Sequence, residues 1–137
     1  MNLVTFSVTG TDEALLSIQQ GLTLAIDSTW RKGDVRRSGA QWEVAGFSAT
    51  IVDAVTPAEL EKGLRDFLTQ CGAHRVIFAL PEIEANLSIG VTVGDSQQFI
   101  ASIDLSPELL SAMAACGVSV SFTAYPTSDE ADAADSI

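Results

Sequence analysis

The amino-acid sequence predicts an α+β fold of two layers, a mostly antiparallel or mixed sheet with helices packed on one face. Several segments alternate apolar and polar residues, which is the pattern of half-buried strands. Two segments, Thr56-Pro-Ala-Glu59 and Ser106-Pro-Glu108, have the composition of a helix start. The interleaved elements give the order β-α-β-β-α-β-β-α-β, whose first six members match a ferredoxin-like split βαβ order.

The N-terminal segments predict a strand, a helix and a second strand. Residues Leu3 to Val8 alternate between apolar and hydroxyl side chains, which favours a half-buried strand. Asp12 to Gln20 has acids in its first turn and inward-facing apolar residues, and Gly21 suits the helix end. Leu22 to Ile26 alternates again and predicts the second strand.

The middle of the chain predicts a third strand and the longest helix. Gln41 to Val52 forms the strand, or a pair of short strands, with a bulge or bend at Gly46. Thr56 caps a helix whose apolar residues recur at helical spacing until Gly72 ends it. Val76 to Leu80 is too short for its periodicity to distinguish strand from helix.

The C-terminal half predicts a hairpin, a helix and a closing strand. Leu87 to Val93 and Phe99 to Leu105 both alternate, and Gly94 to Ser96 can turn the chain between them. Ser106 begins the third helix and Gly117 ends it. The last strand covers Val118 to Ala124. We therefore expect one domain over residues 1–126 and a solvated acidic tail over residues 127–137.

Charge limits the classes of partner. The 137 residues include 7 basic and 18 acidic residues, a net charge of −11, so a nucleic acid or an anionic membrane is disfavoured and a basic protein is favoured. The acidity could instead serve solubility alone. No signal-peptide pattern begins the chain and no apolar run approaches about 20 residues, so we expect a cytoplasmic protein with reduced cysteines. Its oligomeric state is not predicted.

One short segment concentrates the basic residues. Asp27 to Trp42 contains both tryptophans and four of the seven bases, and the flanking strands place it at one end of the sheet. A binding loop would use the planar guanidinium groups, the indole surfaces and backbone amides near a glycine. A structural turn would instead pack Trp30 on Trp42 or on a helix, and Asp34 would bond turn amides. The candidate binding residues are Trp30, Arg31, Lys32, Gly33, Asp34, Arg36, Arg37 and Trp42.

The remaining polar residues do not form a recognisable catalytic or metal-binding pattern. His74 is the only histidine, and it follows a helix end, where it can meet the last carbonyls. A Cys71–His74 pair spans a glycine break and lacks a third orienting group. Glu82 and Glu84 could serve acid–base chemistry, but a solvated face is favoured for them. With Asp95, they are the candidate acidic contacts for a partner, and no catalytic residue, metal or cofactor is predicted.

Three blocks resemble a known family: Trp30-Arg-Lys-Gly-Asp34 with Trp42, Thr56-Pro-Ala-Glu-Leu60, and Leu105-Ser-Pro-Glu-Leu-Leu110 with Met113-Ala-Ala-Cys-Gly117 and a strand ending at Tyr125. Over residues 3–125 the chain is similar to an uncharacterised bacterial family, domain of unknown function 4279 (DUF4279). The resemblance implies a small cytoplasmic α+β domain of the kind suspected of neutralising bacterial toxins.

These observations favour a non-enzymatic protein-binding module. We expect an immunity-type protein whose acidic surface binds a cognate toxin, plausibly a basic toxin domain, and blocks its active-site cleft. The alternative is a small-molecule or anion-binding domain that uses the loop from Trp30 to Asp34 with Arg36 and Arg37. An enzyme of another class is the weaker alternative, with His74 or the Glu82/Glu84 pair as its site.

Overall fold

A computed structural model of the chain describes residues 1–22, 24–74, 76 and 78–130. Within these residues a mixed sheet of five strands carries three helices on one face, which confirms the predicted two-layer α+β class. The elements in chain order are β1 (Asn2–Gly10), α1 (Asp12–Gly21), β2 (Ser28–Trp30), β3 (Ala45–Ala54), α2 (Pro57–Ala73), β4 (Ile83–Val93), α3 (Pro107–Cys116) and β5 (Val118–Pro126).

The sheet has the strand order β2-β3-β1-β4-β5. The first four strands in sequence pair antiparallel in the ferredoxin-like arrangement, with β1 between β3 and β4. Strand β5 is added outside β4 and runs parallel to it. A parallel neighbour requires a crossover connection, and α3 supplies it.

Side-chain caps fix the helix starts where the sequence predicts them. Thr56 accepts a hydrogen bond from the amide of Glu59, whose carboxylate accepts one from the amide of Val55, so the cap has two side-chain bonds but the second comes from the residue before Thr56 rather than from Thr56 as in a capping box. Ser106 accepts from the amide of Leu109 in the same way at the start of α3. At the other end, α3 ends at Cys116, and Gly117 caps it with a φ of +80°.

Four phenylalanines form the centre of the core between the sheet and the helices. Phe6 lies in the middle, and its ring centroid is 6.3 Å from Phe47, 5.1 Å from Phe67 and 5.0 Å from Phe78. These rings come from β1, β3, α2 and the segment before β4, so one cluster joins both layers. The apolar face of α2 completes it with Leu60, Leu64, Leu68 and Cys71.

The opposite face of the sheet carries mostly hydroxyl and amide side chains, and we call it the open face. Strand pairing places Thr5 beside Thr50 and Ser88, and Ser7 beside Ser48 and Asn86. Side chains of β1 alternate between buried and half-buried, as the sequence predicts for a strand with one covered face. The open face also includes Thr9, Thr92, Ser119, Ser121 and Thr123.

The prediction of a second strand over Leu22–Ile26 is wrong. The second strand of the structure is β2, which begins later in the chain. Its pairing with β3 begins only where the backbone amide of Asp27 donates to the carbonyl oxygen of Ser48. Leu22 is buried and Leu24 and Ile26 pack against the core, so their alternation reflects partial burial without strand pairing. Thr23 lies outside the described residues.

The predicted hairpin of 87–93 with 99–105 is also wrong, and the observed order therefore has one strand fewer. Strand β4 begins earlier, at Ile83, and the chain after it crosses towards α3. Ile103 and Leu105 pack against the core, while Phe99 and Ile100 are exposed. The amide of Asp104 donates to the carboxylate of Glu61 on α2, which holds this segment on the helical layer.

Two smaller boundaries differ from the prediction, and the structure also describes part of the segment that the sequence left open. Strand β3 begins at Ala45 rather than at residue 41, because Trp42 bonds to the preceding loop. Helix α2 continues through Gly72 to Ala73. In 76–80, Phe78 donates to Cys116 and no strand forms among the described residues; Ile77 lies outside them.

The first residues of the predicted tail continue onto the body of the protein. The amide of Thr127 donates to Val93, and Asp129 accepts from both the amide and the hydroxyl of Ser96. The end of β5 is therefore tied to the turn after β4. Residues 131–137 of the predicted tail lie outside the described residues, and the division at residue 126 stays a prediction.

Candidate functional site

A hydrogen-bonded hairpin extends from the sheet between β2 and β3, and we call residues 31–41 the basic hairpin. Gly33 donates to Trp42 and Trp42 donates to Asp34, which closes its base. Across its tip, the backbone amide of Arg36 donates a hydrogen bond to the carbonyl oxygen of Ala40. The turn between them contains Gly39 at a φ of +86°. Gly33 has a φ of +95°, a conformation that favours glycine.

The two tryptophans stack on each other at the base of this hairpin. Their ring centroids are 4.2 Å apart with an angle of 16° between the planes. The guanidinium carbon of Arg36 lies 4.1 Å from the Trp42 ring centroid. Trp30 pairs with Gly46 across the strands and covers it. These contacts occupy much of the indole surface, as the structural-turn interpretation predicts.

All four basic residues of the hairpin are exposed, and the three besides Arg36 make no recorded contact with the tryptophan rings: Arg31, Lys32 and Arg37. Asp34 has the structural role that the sequence suggests, since its carboxylate accepts from the amide of Arg31 at 2.8 Å. A groove of about 430 Å³ beside the stack is lined in part by Arg36, Arg37 and Asp34. The guanidinium groups could bind an anion there, although the Asp34 carboxylate reduces the positive potential.

Two of the three acidic candidates lie together at another corner of the sheet. Gly10 pairs with Ile83, so the first turn of α1 adjoins the start of β4. This juxtaposition brings Glu82 and Glu84 near the first turn of α1. The sequence explains the two acids of that turn, Asp12 and Glu13, by the helix dipole alone. We call the resulting set of exposed carboxylates the acidic corner: Asp12, Glu13, Glu82 and Glu84.

A groove of about 820 Å³ runs beside the acidic corner. Glu13 and Glu82 line it together with His74, and Ala14, Ile18, Val76 and Leu80 supply its apolar surface. Glu84 lines a neighbouring groove of about 560 Å³ that reaches the open face at Ser7 and Asn86. Carboxylates beside an apolar floor can accept a lysine or arginine, whose aliphatic stem needs apolar contact.

Asp95 does not belong to this surface. Its side chain is 7% exposed, and one carboxylate oxygen accepts from the amides of Gln97 and Gln98 at 3.0 and 2.7 Å. The residue organises the turn after β4. Asp95 is therefore enclosed by the turn, and its low exposure speaks against a direct contact with a partner.

Histidine and cysteine have structural positions. His74 follows α2, and its backbone amide donates to Gln70, as expected for a residue at a helix end. Cys71 and Cys116 are buried as free thiols. Burial raises the pKa of Cys71 to about 12, with a further contribution from nearby Cys116, and burial also raises the pKa of Cys116. Both thiols are thus protonated at neutral pH.

Among the described residues, no group of three or more histidine, cysteine, aspartate or glutamate side chains is arranged to hold a metal ion. None of the described helices combines the length and the apolar character needed to traverse a bilayer.

Comparisons with protein-family models, with curated proteins and with solved structures gave no match to this chain. The resemblance to DUF4279 therefore stays a prediction. The sequence did not identify Asp12 and Glu13 as site residues, because only the pairing of β1 with β4 brings the first turn of α1 to the start of β4, where Glu13 and Glu82 line one groove. Their local signal, two acids in a first helical turn, has a sufficient explanation in the helix dipole.

Proposed function

We propose that this protein is a non-enzymatic binding module whose acidic corner binds a basic site on a partner protein. The observation that supports the proposal most strongly is that the pairing of Gly10 with Ile83 brings two distant segments with four exposed carboxylates, Asp12–Glu13 and Glu82–Glu84, to one corner, where Glu13 and Glu82 line the same groove. The net charge of −11 adds long-range attraction for a basic partner. Such attraction raises the encounter rate, and the grooves beside the corner supply short-range contacts.

An immunity-type role follows from this chemistry. A toxin whose active-site cleft is lined by lysine and arginine would place those side chains in the groove that Glu13 and Glu82 line, with their stems against Ile18 and Val76. The bound domain would then block the cleft sterically. In this proposal the protein acts in the bacterial cytoplasm, which is the setting that the resemblance to DUF4279 implies.

Where a neighbouring gene encodes a toxin-like domain, that domain is the probe of the test. Binding is measured by stopped-flow kinetics at several salt concentrations for the wild type and for two quadruple variants. One variant neutralises the acidic corner, D12N/E13Q/E82Q/E84Q. The matched control removes the same charge from exposed acids elsewhere, E43Q/D53N/D66N/D104N.

We expect the corner variant to lower the association rate constant by about tenfold or more at low salt, and to weaken the salt dependence. The control variant should change the association rate constant and its salt dependence much less. The same corner variant should lose protection when it is co-expressed with the toxin. Equal effects of the two variants, or an association rate that is insensitive to salt, would reject the acidic corner as the binding site.

The exposed bases of the basic hairpin support a second candidate, anion binding. Arg31, Lys32 and Arg37 project from a backbone that its own hydrogen bonds hold in place. Thermal-shift measurements with phosphate, nucleotides and dicarboxylic acids test this candidate, since a ligand of the native state raises the melting temperature. A shift should disappear in R31A/K32A/R37A, and no shift with any of these probes would eliminate the candidate.

A further inference from the structure

The two edges of the sheet are built differently. Edge strand β2 has only three residues, and the basic hairpin follows it. The other edge strand, β5, has nine residues and pairs with β4 on one side. Among the described residues, no strand pairs with its outer side. Strand β5 therefore presents a row of backbone donors and acceptors that another strand could use.

The β5 edge also lacks charge. From Leu109 to Ser128 the sequence contains no acidic or basic residue, although charged residues make up 18% of the chain. Natural edge strands are usually protected from pairing by charged residues, by proline or by short length. In β5 the only such feature is Pro126, its last residue. This edge lacks the usual protection against strand pairing.

Exposed apolar side chains lie on and beside the strand. Phe122 of β5 is 57% exposed although it is on the helical side of the sheet, and Tyr125 is 49% exposed. Helix α3, which packs against β5 and α2, leaves Leu110 49% exposed. Pro107 and Glu108 are exposed in the first turn of α3; beyond that turn the other exposed residues of the helix are small and uncharged, namely Ser111, Ala114 and Ala115. We call β5 and this side of α3 the uncharged edge.

We propose that the uncharged edge binds a second copy of this chain through antiparallel pairing of the two β5 strands. The dimer would have a two-fold axis normal to the sheet, and the sheets would join into one of ten strands. Because the axis is normal to the sheet, the open face of one copy continues into the open face of the other. Ser119, Ser121 and Thr123 of one copy would therefore face residues of the same set in the other, and Val120, Phe122 and Ala124 would do the same on the helical side. The exposed small residues of α3 would permit close approach of the two helices.

Charge favours a second copy over a foreign partner. Two chains of net charge −11 repel each other, and their least unfavourable contact is the part of the surface that has no acids. A basic partner would gain nothing from that surface and would be drawn to the acidic corner. Added salt screens the repulsion between copies, so dimerisation should strengthen with salt. Partner binding at the acidic corner should weaken under the same conditions.

Sedimentation equilibrium on the full chain tests the proposal, from about 1 µM to about 1 mM protein at low and high salt. The wild type should reach twice its mass of 14.4 kDa, with a lower dissociation constant at high salt. The variant S121K/F122K places lysines on β5 and should raise that constant by about a hundredfold or more. The matched control S28K/T29K places them on exposed positions of β2 and should dimerise as the wild type does.

Hydrogen exchange and crosslinking provide independent readouts. Amides of residues 118–126 should exchange more slowly as the protein concentration rises, and those of β2 should not. Among single cysteines at positions 119, 121 and 123, the one nearest the axis should form disulfide-linked dimers in clearly the highest yield under mild oxidation, because the others lie too far from their own copies. Circular dichroism checks that each variant is folded. Hydrogen exchange in the wild type tests the proposal without any substitution.

Several outcomes would overturn the proposal. They are a monomer at every concentration, a dimer unaffected by S121K/F122K, or a dimer that salt dissociates. Loss of toxin-domain binding in S121K/F122K, with a wild type that is monomeric, would assign the edge to that foreign partner instead. The proposal does not depend on the acidic corner, because the monomeric variant retains Asp12, Glu13, Glu82 and Glu84.

Discussion

Trp30 lies directly over Gly46 on the open face of the sheet, and the two residues pair across β2 and β3. A Cβ atom at position 46 would lie 2.5 Å from the Trp30 ring and 2.7 Å from the carbonyl oxygen of Val8. The ring could move, but the backbone of Val8 cannot move without disturbing β1. We therefore expect Gly46→Ala to lower the free energy of unfolding by about 1–3 kcal/mol.

Urea denaturation followed by tryptophan fluorescence measures this effect, and Gly72→Ala is the matched control. Nothing lies within 4 Å of a Cβ at position 72, which is near the end of α2. Alanine is favoured over glycine in a helix by up to about 1 kcal/mol, so the control should be neutral or stabilising. A Gly46→Ala variant as stable as the wild type would mean that Trp30 is not held over this position.

Gly63 has a comparable role between the layers, because it lets α2 approach β3. A Cβ atom there would collide with Cγ2 of Val52. Gly63→Ala should therefore destabilise the protein by about 1–3 kcal/mol, despite the better helix propensity of alanine. Denaturation of the single variants and of Gly63→Ala/Val52→Ala forms a double-mutant cycle. We expect a coupling of about 0.5–3 kcal/mol in favour of the double variant, and additive effects would show that the two sites do not touch.

Local patterns predicted the elements whose signals are complete within a few residues. The alternation of β1 and the capped starts at Thr56 and Ser106 are such signals, and the structure has all three elements. Alternation failed over 22–26 and 99–105, where one side of an irregular segment packs on the core. Those segments are half-buried like strands, and the pattern reports burial rather than pairing.

The site depended on contacts that no local pattern records. The stack of Trp30 on Trp42 was anticipated as one alternative, because a short loop joins the two residues. The acidic corner requires Gly10 to pair with Ile83, which depends on the ferredoxin-like strand order. The unprotected edge at β5 likewise became visible only when the supposed strand at 99–105 proved to be a crossover segment.

Asn2 and Gln98 form a reciprocal pair of amide hydrogen bonds, each 3.0 Å long. Asn2 is fully buried and also donates to Val55, while Gln98 donates to Thr92. The pair joins the start of β1 to the end of β3 and to the turn after β4. Replacing Asn2 with alanine leaves buried polar groups without partners, so it should lower the free energy of unfolding by about 1–3 kcal/mol.

Chemical denaturation of N2A, Q98A and the double variant tests this pair. The double variant should lose less stability than the two single variants together, because each single change already breaks the shared bonds. Gln97→Ala is the control, since that side chain is exposed, and it should remain within about 0.5 kcal/mol of the wild type. Additive losses from N2A and Q98A would argue that the amides act separately.

Arg36 should stabilise the basic hairpin through its contact with Trp42. A cation over an indole at an exposed site contributes about 0.5–1 kcal/mol. We expect Arg36→Ala to lose about this much stability and to reduce the near-ultraviolet circular dichroism of the stacked tryptophans. Arg37→Ala removes the same charge from the adjacent exposed position and should leave the spectrum unchanged. Equal changes in both variants would indicate that net charge, rather than stacking, sets the effect.

The buried thiol of Cys71 should make stability fall in alkaline solution. Burial raises its pKa from the ordinary value of 9.0 to about 12, so between these values the folded protein keeps a proton that the unfolded chain releases. The free energy of unfolding therefore decreases as pH rises through this window, and the contribution of the thiol is fully present below pH 9. Cys116 shifts in the same direction and adds to the effect.

Urea midpoints from about pH 8 to about pH 11 measure this linkage in the wild type and in Cys71→Ala. The variant starts from lower stability because it leaves a cavity, but it lacks the thiol that titrates. The difference in the free energy of unfolding between the wild type and Cys71→Ala should thus become smaller above pH 9. A difference that stays constant with pH would contradict the linkage. A thiol reagent should also react slowly with the native protein at pH 8 and rapidly in urea, because Cys71 is fully buried.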